Sequence, residues 1–442
     1  MTQASGAASV RRGGPFGHPP GLTVLFLTQT WAEFSYFGLQ AMLVYYMTQQ
    51  LALPQAQASL IYGAYGATAF FSPFVGGIIA DRYLGKTRSV LLGGAMMMVG
   101  HFAMAFESLL FPALALVALG NGLFIPPLAV QVGRLYEDGD TRRDQAFSAY
   151  YMGINLGGFL APLVCGTLGE RLGWHWGFAA AGVGMLIGLV IYICFRRHVP
   201  GDAGLVRPGR HERAPLTTSD RRALLTLLSV MAIIVLFRIA YEQSGNTIAL
   251  WVNDRTDRIV EFAGRSWEIP ATWFQSINPL LIITLTPFLV HFWRRRRDAG
   301  HSVNLFRRMS LGCAVAGAAS IVMVLAALAF RAEGPVSALW VVAYFVLLTI
   351  GELLVLPIGL SLFGNLSPVQ IAATMMGAWY IAKFLGSLAA GVIGTLWLKI
   401  PAEWFFAIGA GATLLASVLL FLMGRGRDTP AIPNVSRRPC RE

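Results

Sequence analysis

The feature of the sequence that most constrains the fold is a series of apolar segments, each long enough to cross a lipid bilayer as a helix. A helix needs about 20 predominantly apolar residues to span the hydrocarbon core. The chain has 442 residues, of which 55% are hydrophobic and only 13% are charged, and it contains twelve such segments. The predicted spans are 22–48, 57–80, 89–106, 110–134, 143–168, 176–195, 222–250, 270–293, 307–330, 337–362, 369–396 and 404–424. The sequence therefore predicts an all-α membrane protein with twelve transmembrane helices.

The distribution of lysine and arginine predicts which loops face the cytoplasm, because these residues accumulate in short cytoplasmic loops. They are concentrated after spans 2, 4, 6 and 8, at Arg82, Lys86, Arg88, Arg134, Arg142, Arg143, the linker after span 6, Arg294–Arg297, Arg307 and Arg308. The opposite loops contain only Arg171, Arg255, Arg258, Arg265, Arg331 and Lys399. Both termini, with tails at 1–21 and 425–442, are therefore expected in the cytoplasm of a cell with a bacterial-type inner membrane. The net charge of +12 indicates contact with anionic lipid rather than with nucleic acid.

A polar segment divides the chain into two equal sets of spans. Residues 196–221 are rich in proline, glycine and arginine and too polar to cross a bilayer, so they are predicted to be a cytoplasmic linker. Six spans lie on each side of it, within 22–195 and 222–424. Two six-helix bundles joined in this way are typical of the major facilitator fold, in which substrate binds near the bilayer midplane between the halves.

The loop after span 2, GGIIADRYLGKTR, resembles the loop motif of the major facilitator superfamily. The resemblance assigns Asp81, Arg82, Gly85, Lys86 and Arg88 to a gate that caps and salt-bridges the helix ends on the cytoplasmic side. A basic turn that merely follows the charge asymmetry is the alternative interpretation.

Several further stretches resemble one family of that superfamily, the proton-coupled oligopeptide transporters. They include YGAYGATAFFSPFVGGIIADRYLGK, YEQSGNTIALW, WEIPATWFQSINPL and GELLVLPIGLSL. The stretch FSAYYMGINLGGF contains the family's YxxINxG signature as Tyr151, Ile154, Asn155 and Gly157. The resemblance implies secondary active transport of di- or tripeptides, or of peptide-like compounds, by alternating access. A non-transporting peptide sensor and an exporter or facilitator of a peptide-like natural product remain as alternatives.

The first predicted helix departs from the family's pattern. Relatives have an E-x-x-E-R-F motif that serves proton coupling, whereas this sequence has Gln29, Ala32 and Glu33 at the three charged positions. Proton coupling is therefore expected to be altered or weakened, with Glu33, Glu242 and Glu352 as candidate proton-coupling groups. The alternative for Glu33 is a hydrogen-bonded packing role.

Charged side chains inside spans usually mark substrate or ion sites, because each costs about 2.5–3.5 kcal/mol on insertion scales. Together with amide and aromatic residues at positions suggested by the resemblance, they form the set of candidate substrate-binding residues. These are Tyr36, Gln40, Phe70, Asn155, Arg238, Glu242, Asn278, Glu352, Trp379 and Lys383. Core packing is the alternative for the two aromatic residues Tyr36 and Trp379, and His101 in span 3 is expected to be structural.

The first half also lacks the cations that, in relatives, receive the carboxylate of the peptide. Gln40 replaces an arginine and Ile125 a lysine of the family's pattern. A free carboxylate beside them would be desolvated without a partner, so amidated or otherwise carboxylate-free compounds are expected to bind at least as well as ordinary dipeptides. The expectation would not hold if Arg238 or Lys383 captured the carboxylate from the second half.

Motifs of common enzymes are missing from the sequence. It contains no G-x-S-x-G, H-E-x-x-H or P-loop motif and no metal-like spacing of Cys and His, so we expect no enzymatic activity, cofactor or metal. The expected partners are a small peptide or peptide-like substrate, membrane lipid and, as a candidate, protons, with the chain acting as a monomer. Residues 251–269 are predicted to form an extracellular turn or short hairpin.

Overall fold

The computed structural model describes residues 17–137, 140, 142–201, 217–262, 264–299, 304–367 and 372–425. These residues contain twelve long helices: α1 Pro20–Tyr45, α2 Gln55–Ile79, α3 Lys86–Ala103, α4 Leu110–Gly133, α5 Arg142–Ala161, α6 Trp174–Cys194, α7 Thr218–Tyr241, α8 Ile277–Asp298, α9 Leu305–Glu333, α10 Leu339–Leu366, α11 Ala372–Gly394 and α12 Ala402–Met423. The first sixteen residues, the C-terminal tail from 426 and most of the predicted linker, 202–216, lie outside the described residues.

Helices are the expected elements in this sequence, because backbone groups in a lipid environment must be hydrogen-bonded within their own segment. Several helices continue past their regular part: α1 through the π-helical turn Tyr46–Gln50, α2 through Ala80–Leu84, and α5 through Pro162–Gly166 and the short helix Thr167–Leu172. By length and composition alone, nine helices within the described residues could cross a membrane. The other three long helices, α1, α3 and α11, are packed among those nine and complete the bundles.

The twelve helices form two bundles with the same internal packing. In the first bundle α1 packs against α5 and α6, α2 against α4, and α3 against α4 and α6. In the second, α7 packs against α11 and α12, α8 against α10, and α9 against α10 and α12. Each contact of the first bundle thus recurs in the second with every helix number raised by six. The bundles meet through α2 against α11 and α5 against α8, a pair of interfaces that this symmetry also relates.

Close helix packing in the first bundle depends on glycine. A Cβ atom at Gly76 of α2 would collide with the backbone of Gly122 in α4, and one at Gly93 of α3 would lie 2.5 Å from the carbonyl oxygen of Gly120. Small residues allow helix backbones to approach each other where lipid provides no hydrophobic driving force for association.

The two ends of the bundles can be told apart by their connections. At one end, β2 (Ile259–Phe262) and β3 (Arg265–Glu268) form an antiparallel hairpin, and β1 (Thr256–Asp257) pairs in parallel with β4 (Val336–Ser337). We call this the hairpin end. The opposite end, which contains the start of the linker, is the linker end. Both ends of the described chain lie there, since His18 bonds to Tyr136 at 2.8 Å and the Asn304 amide donates to the carbonyl oxygen of Gly424 at 3.2 Å.

The structure modifies two local expectations. The predicted span 222–250 is interrupted, because α7 ends at Tyr241 and is followed by a 3-10 turn, Glu242–Gly245, and a second helix, Thr247–Arg255. Gly245 packs against the Tyr62 hydroxyl at this break, where a side chain would collide. The predicted hairpin is present, but it is shorter than 251–269 because the second helix extends to Arg255.

Candidate functional site

The hairpin end of the cleft between the bundles is closed by hydrogen bonds that cross from one bundle to the other. Tyr45 donates to the carbonyl oxygen of Ala249 at 2.9 Å, and Gln275 donates to the carbonyl oxygen of Ala41 at 3.1 Å. These bonds join the end of α1 to the segments before α8 and after α7. They place the bundles in direct contact on this side.

A carboxylate strengthens this closure. Glu170, in the helical continuation of α5, accepts hydrogen bonds from the Ala271 and Thr272 amides at 2.9 and 2.8 Å, and from the Thr272 hydroxyl at 2.7 Å. Arg258 lies 4.0 Å from Glu170 and 2.7 Å from Glu268. A carboxylate at the amino end of a helical turn is stabilised by unpaired backbone N–H groups and by the helix dipole.

Along α2 and α11 the closure is made by small residues. A Cβ atom at Gly63 would lie 2.6 Å from the α-carbon of Gly391, so the two helices touch through their backbones. Gln55 donates to the carbonyl oxygen of Gly394 at 2.9 Å, and Ser387 donates to that of Gly63 at 3.2 Å. Nearer the linker end, by contrast, Tyr151 of α5 and Tyr380 of α11 are 45% and 40% exposed. These two helices thus have exposed side chains nearer the linker end.

Glu33 lies on the first-bundle side of the cleft, in a chain of neutral hydrogen bonds. The Gln29 amide donates to Glu33 at 2.6 Å, and the Tyr150 hydroxyl of α5 donates to the Gln29 carbonyl oxygen at 2.6 Å. Gly157 of α5 allows α5 to approach α1 closely here, because a Cβ atom at Gly157 would lie 3.0 Å from that of Glu33. Glu33 is buried and forms no ion pair with any described Lys or Arg. Gln29, which replaces a charged residue of the family pattern, thus acts as a hydrogen-bond donor to Glu33.

Arg238 and Glu242 form a buried ion pair at the end of α7. Their side chains are in direct contact, as expected for residues four positions apart on one helical face. The guanidinium carbon also lies 5.1 Å from the centre of the Phe70 ring of α2 and 4.7 Å from that of Tyr241. Arg238 is thus neutralised within the second bundle and packs against the first.

Glu352 of α10 is held by neutral donors. Tyr241 donates to one carboxylate oxygen at 3.0 Å, and Asn278 of α8 donates to the other at 2.8 Å. Asn278 also donates to the Thr349 hydroxyl at 3.0 Å, which fixes its amide. These bonds orient the carboxylate and leave its charge without a contacting cation in the described part of the chain.

Lys383 of α11 is the cation that connects the two halves of the site. Its ammonium lies 5.4 Å from the ring centres of both Phe70 and Tyr380. It is close enough to interact electrostatically with Glu33 of the first bundle and with Glu352 of the second. The structure thus brings together five charged candidates, one from the first bundle and four from three helices of the second: Glu33, Arg238, Glu242, Glu352 and Lys383.

Other predicted binding residues make contacts within the protein. Gln40 donates to the Tyr62 hydroxyl at 3.1 Å, and Asn155 donates to the carbonyl oxygen of Tyr151 one turn earlier at 3.0 Å. Tyr36 stacks on Tyr65 with ring centres 6.1 Å apart. These contacts line the first-bundle side with amide and phenol groups rather than with cations.

Trp379 is packed away from the charged cluster. Its ring lies against Gly359 and 5.4 Å from that of Phe363, both on α10, and it is almost fully buried. This is the core-packing arrangement that the sequence left open as an alternative. His101 is likewise fully buried in α3, where it bonds to Ser35 at 2.5 Å, in keeping with its expected structural role.

The loop motif lies at the linker end, as expected. Asp81 pairs with Lys86 at 3.3 Å, and Gly85 separates them with a φ of 76°, a conformation that side chains disfavour. Arg82 and Arg88 are exposed there. After α4, hydrogen bonds from Arg142 at the start of α5 lower the pKa of the Asp140 carboxyl.

The tyrosines that organise the site, Tyr150, Tyr241 and Tyr62, are not among the residues predicted from the sequence. Tyr150 holds Gln29, Tyr241 holds Glu352, and Tyr62 accepts from Gln40. The adjacency of Tyr241 to Glu242 was the available signal for one of them. The contacts of Tyr150 and Tyr62 depend on helix packing and have no local signal in the sequence.

Comparison with known proteins agrees with this geometry. The POT family model matches residues 87–203 and 213–426. The di-/tripeptide transporter of Lactococcus lactis subsp. cremoris is 32% identical, over 92% of this chain and 95% of that protein. The peptide transporter YePEPT of Yersinia enterocolitica subsp. palearctica is 33% identical, over 86% and 88%. These relatives are transporters, not enzymes.

Solved structures show the same architecture. A crystal structure of peptide transporter POT in complex with sulfate has 32% identity and a TM-score of 0.84, covering 94% of this chain and 96% of that one. A POT family transporter in complex with 5-aminolevulinic acid has 25% identity and a TM-score of 0.86, covering 93% and 98%. The expected major facilitator fold, with two bundles of six helices, is confirmed. The chain therefore belongs to the POT family of membrane transporters.

Proposed function

We propose that this protein transports di- or tripeptides, or peptide-like compounds, across a membrane by alternating access. The observation that carries the proposal is Glu352, a buried carboxylate in the cleft whose two oxygens are oriented by Tyr241 and Asn278 without a contacting cation among the described residues. Such a group suits the ammonium of a peptide, because opposite charges attract strongly in a cleft of low dielectric constant.

The ligands of the structural relatives support this substrate class. Peptide transporter POT has been crystallised with alafosfalin, and POT family transporters with 5-aminolevulinic acid and with a thioalcohol conjugated peptide. The curated relatives are named for di- and tripeptides or for peptides. A small peptide-like molecule with amide and charged groups is therefore the substrate that we expect here.

The conformation fits one state of an alternating-access cycle. The hairpin end is closed by bonds of Glu170, Tyr45 and Gln275. Nearer the linker end Tyr151 and Tyr380 are exposed, which favours a cleft that opens on that side. The concentration of Lys and Arg at the linker end favours its placement in the cytoplasm. With that orientation, this is the inward-facing state, from which an imported substrate leaves.

Proton coupling in this protein would depend on other residues than the E-x-x-E-R-F motif of the first helix, which the relatives use. Glu33 is oriented by Gln29 and interacts across the cleft with Lys383. A proton on Glu33 would remove this interaction between the bundles, whereas a proton on Glu242 would break its pair with Arg238 inside one bundle. Protonation of Glu33 or Glu352 would change the charge of the cleft without breaking the Arg238–Glu242 ion pair. These two carboxylates are therefore the stronger candidates for proton coupling.

Uptake by the purified protein in proteoliposomes tests the proposed function. Di- and tripeptides should accumulate in vesicles with an inward proton gradient and only equilibrate without one, while empty liposomes take up neither. Uptake in neither condition, beyond that of empty liposomes, together with measurable peptide binding, would contradict transport and identify a sensor. Equilibration that a gradient does not improve would contradict proton coupling alone.

A further inference from the structure

Two cations of the second bundle lie against one ring of the first bundle. Arg238 of α7 and Lys383 of α11 both contact Phe70 of α2, with their charged groups 5.1 and 5.4 Å from the ring centre. They are also close enough to repel each other electrostatically. Like charges that lie close together in a cleft are unfavourable unless each has a counter-ion, and a bound anion can provide one.

The two cations differ in their partners. Arg238 is in direct contact with Glu242 and is almost fully buried. Lys383 is only half-buried, and within the described residues it has neither an ion-pair partner nor a hydrogen bond. The two other carboxylates of the cleft are oriented by neutral groups, Glu33 by Gln29 and Glu352 by Tyr241 and Asn278. Lys383 therefore retains its donors for a ligand.

We propose that Lys383 binds the carboxylate of the substrate and so replaces the cations that the first bundle lacks. The inference rests on the proposed function and specifies it further: the substrate is a zwitterionic or anionic peptide, and Lys383 determines its selectivity for a free carboxylate. The ammonium of the same substrate is held by Glu352, so the binding groups for both charges belong to the second bundle.

The surroundings of Lys383 agree with this role. Phe70 of α2 and Tyr380 of its own helix flank the ammonium, and an aromatic ring attracts a cation without neutralising it. Glu33 of α1, Glu352 of α10 and Arg238 of α7 are the charged groups that interact with it from neighbouring helices. The first bundle thus supplies aromatic and amide surface for the substrate, while the second supplies its charge recognition.

The inference reverses the expectation that amidated peptides bind as well as free ones. That expectation followed from the loss of cations at Gln40 and Ile125 and required that no other cation face the cleft. Lys383 is such a cation. A charge-assisted contact with a carboxylate should favour the free acid over its amide by about tenfold.

Equilibrium binding of dialanine and of dialanine amide to the purified full-length protein tests the inference. The parent should prefer the free acid by about tenfold. In Lys383→Gln and Lys383→Met the roughly tenfold preference for the free acid should disappear, and Lys383→Arg should restore part of it. Lys399→Gln, which changes an exposed lysine in the loop after α11, is the matched control and should behave as the parent.

The outcomes separate the inference from the proposed function. If the parent binds acid and amide equally, or if Lys383→Gln and Lys383→Met keep the preference, the inference is wrong while the transport proposal stands. If the parent binds and transports neither compound nor any other short peptide, the proposed function fails, and the inference fails with it.

Discussion

The Glu170 carboxylate in the first bundle accepts the backbone N–H of Thr272 in the second bundle at 2.8 Å. With the bonds from Ala271 and from the Thr272 hydroxyl, one side chain makes three hydrogen bonds across the cleft. Removing it should shift the protein towards a state open at the hairpin end, because charge-assisted hydrogen bonds contribute about 1.5–3 kcal/mol each. We expect Glu170→Ala to lengthen the distance between spin labels at Gln57 and Lys399, which lie at that end of the two bundles.

Glu107→Ala is the control for this prediction. Glu107 also lies at the hairpin end, but it bonds to Gln50 at 2.8 Å within the first bundle. Its removal should leave the distance distribution unchanged. Equal distributions in the parent and in Glu170→Ala would show that this carboxylate does not hold the two bundles together.

Asp81→Asn should slow transport and leave substrate binding intact. The carboxylate pairs with Lys86 at 3.3 Å, far from the cleft charges, so its loss acts on the helix ends at the linker end. We expect uptake to fall about tenfold while the dissociation constant stays within about twofold. Asp144→Asn, at the start of α5, is a control with the same change of charge and should transport as the parent does. If Asp81→Asn loses substrate binding as well as transport, the variant is misfolded and a gating role for Asp81 is unsupported.

Glu33→Gln should abolish gradient-driven accumulation and preserve exchange of peptide across the membrane without a gradient. The amide cannot take up a proton, but it can still accept the hydrogen bond from Gln29. Accumulation with and without a proton gradient, compared with exchange of labelled peptide, separates the two activities. If Glu33→Gln, Glu242→Gln and Glu352→Gln each keep full accumulation, none of these carboxylates couples protons to transport.

Glu242→Gln should destabilise the protein more than the double variant Arg238→Gln/Glu242→Gln does. The single change leaves the buried Arg238 without its counter-ion, and breaking a buried pair in this way costs about 3–5 kcal/mol. Thermal unfolding in detergent, measured for the parent, both single variants and the double variant, gives the coupling. A double variant as unstable as the sum of the single ones would mean that the two residues stabilise the protein independently.

The sequence by itself was sufficient for several features that depend on neighbouring residues. Apolar length defined the spans, and the positions of lysine and arginine distinguished the two ends. The four-residue spacing of Arg238 and Glu242 predicted their contact, because such residues share one face of a helix. The signature around Asn155 identified the family from a short segment. Polar backbone groups in lipid admit few alternatives to a helix, so these features leave a clear trace in the chain.

Tertiary structure alone decided which distant residues meet. The two bundles share the same packing although no residue-level repeat is visible in the sequence. The Lys383 ammonium of α11 lies 5.4 Å from the ring centre of Phe70 in α2, which is far earlier in the chain. The neutral donors of Glu352 come from two other helices, and the closure of the hairpin end depends on how the bundles are positioned against each other. Such contacts are set by the crossing of helices over glycine and other small residues, and local sequence contains no information about which helices will be neighbours.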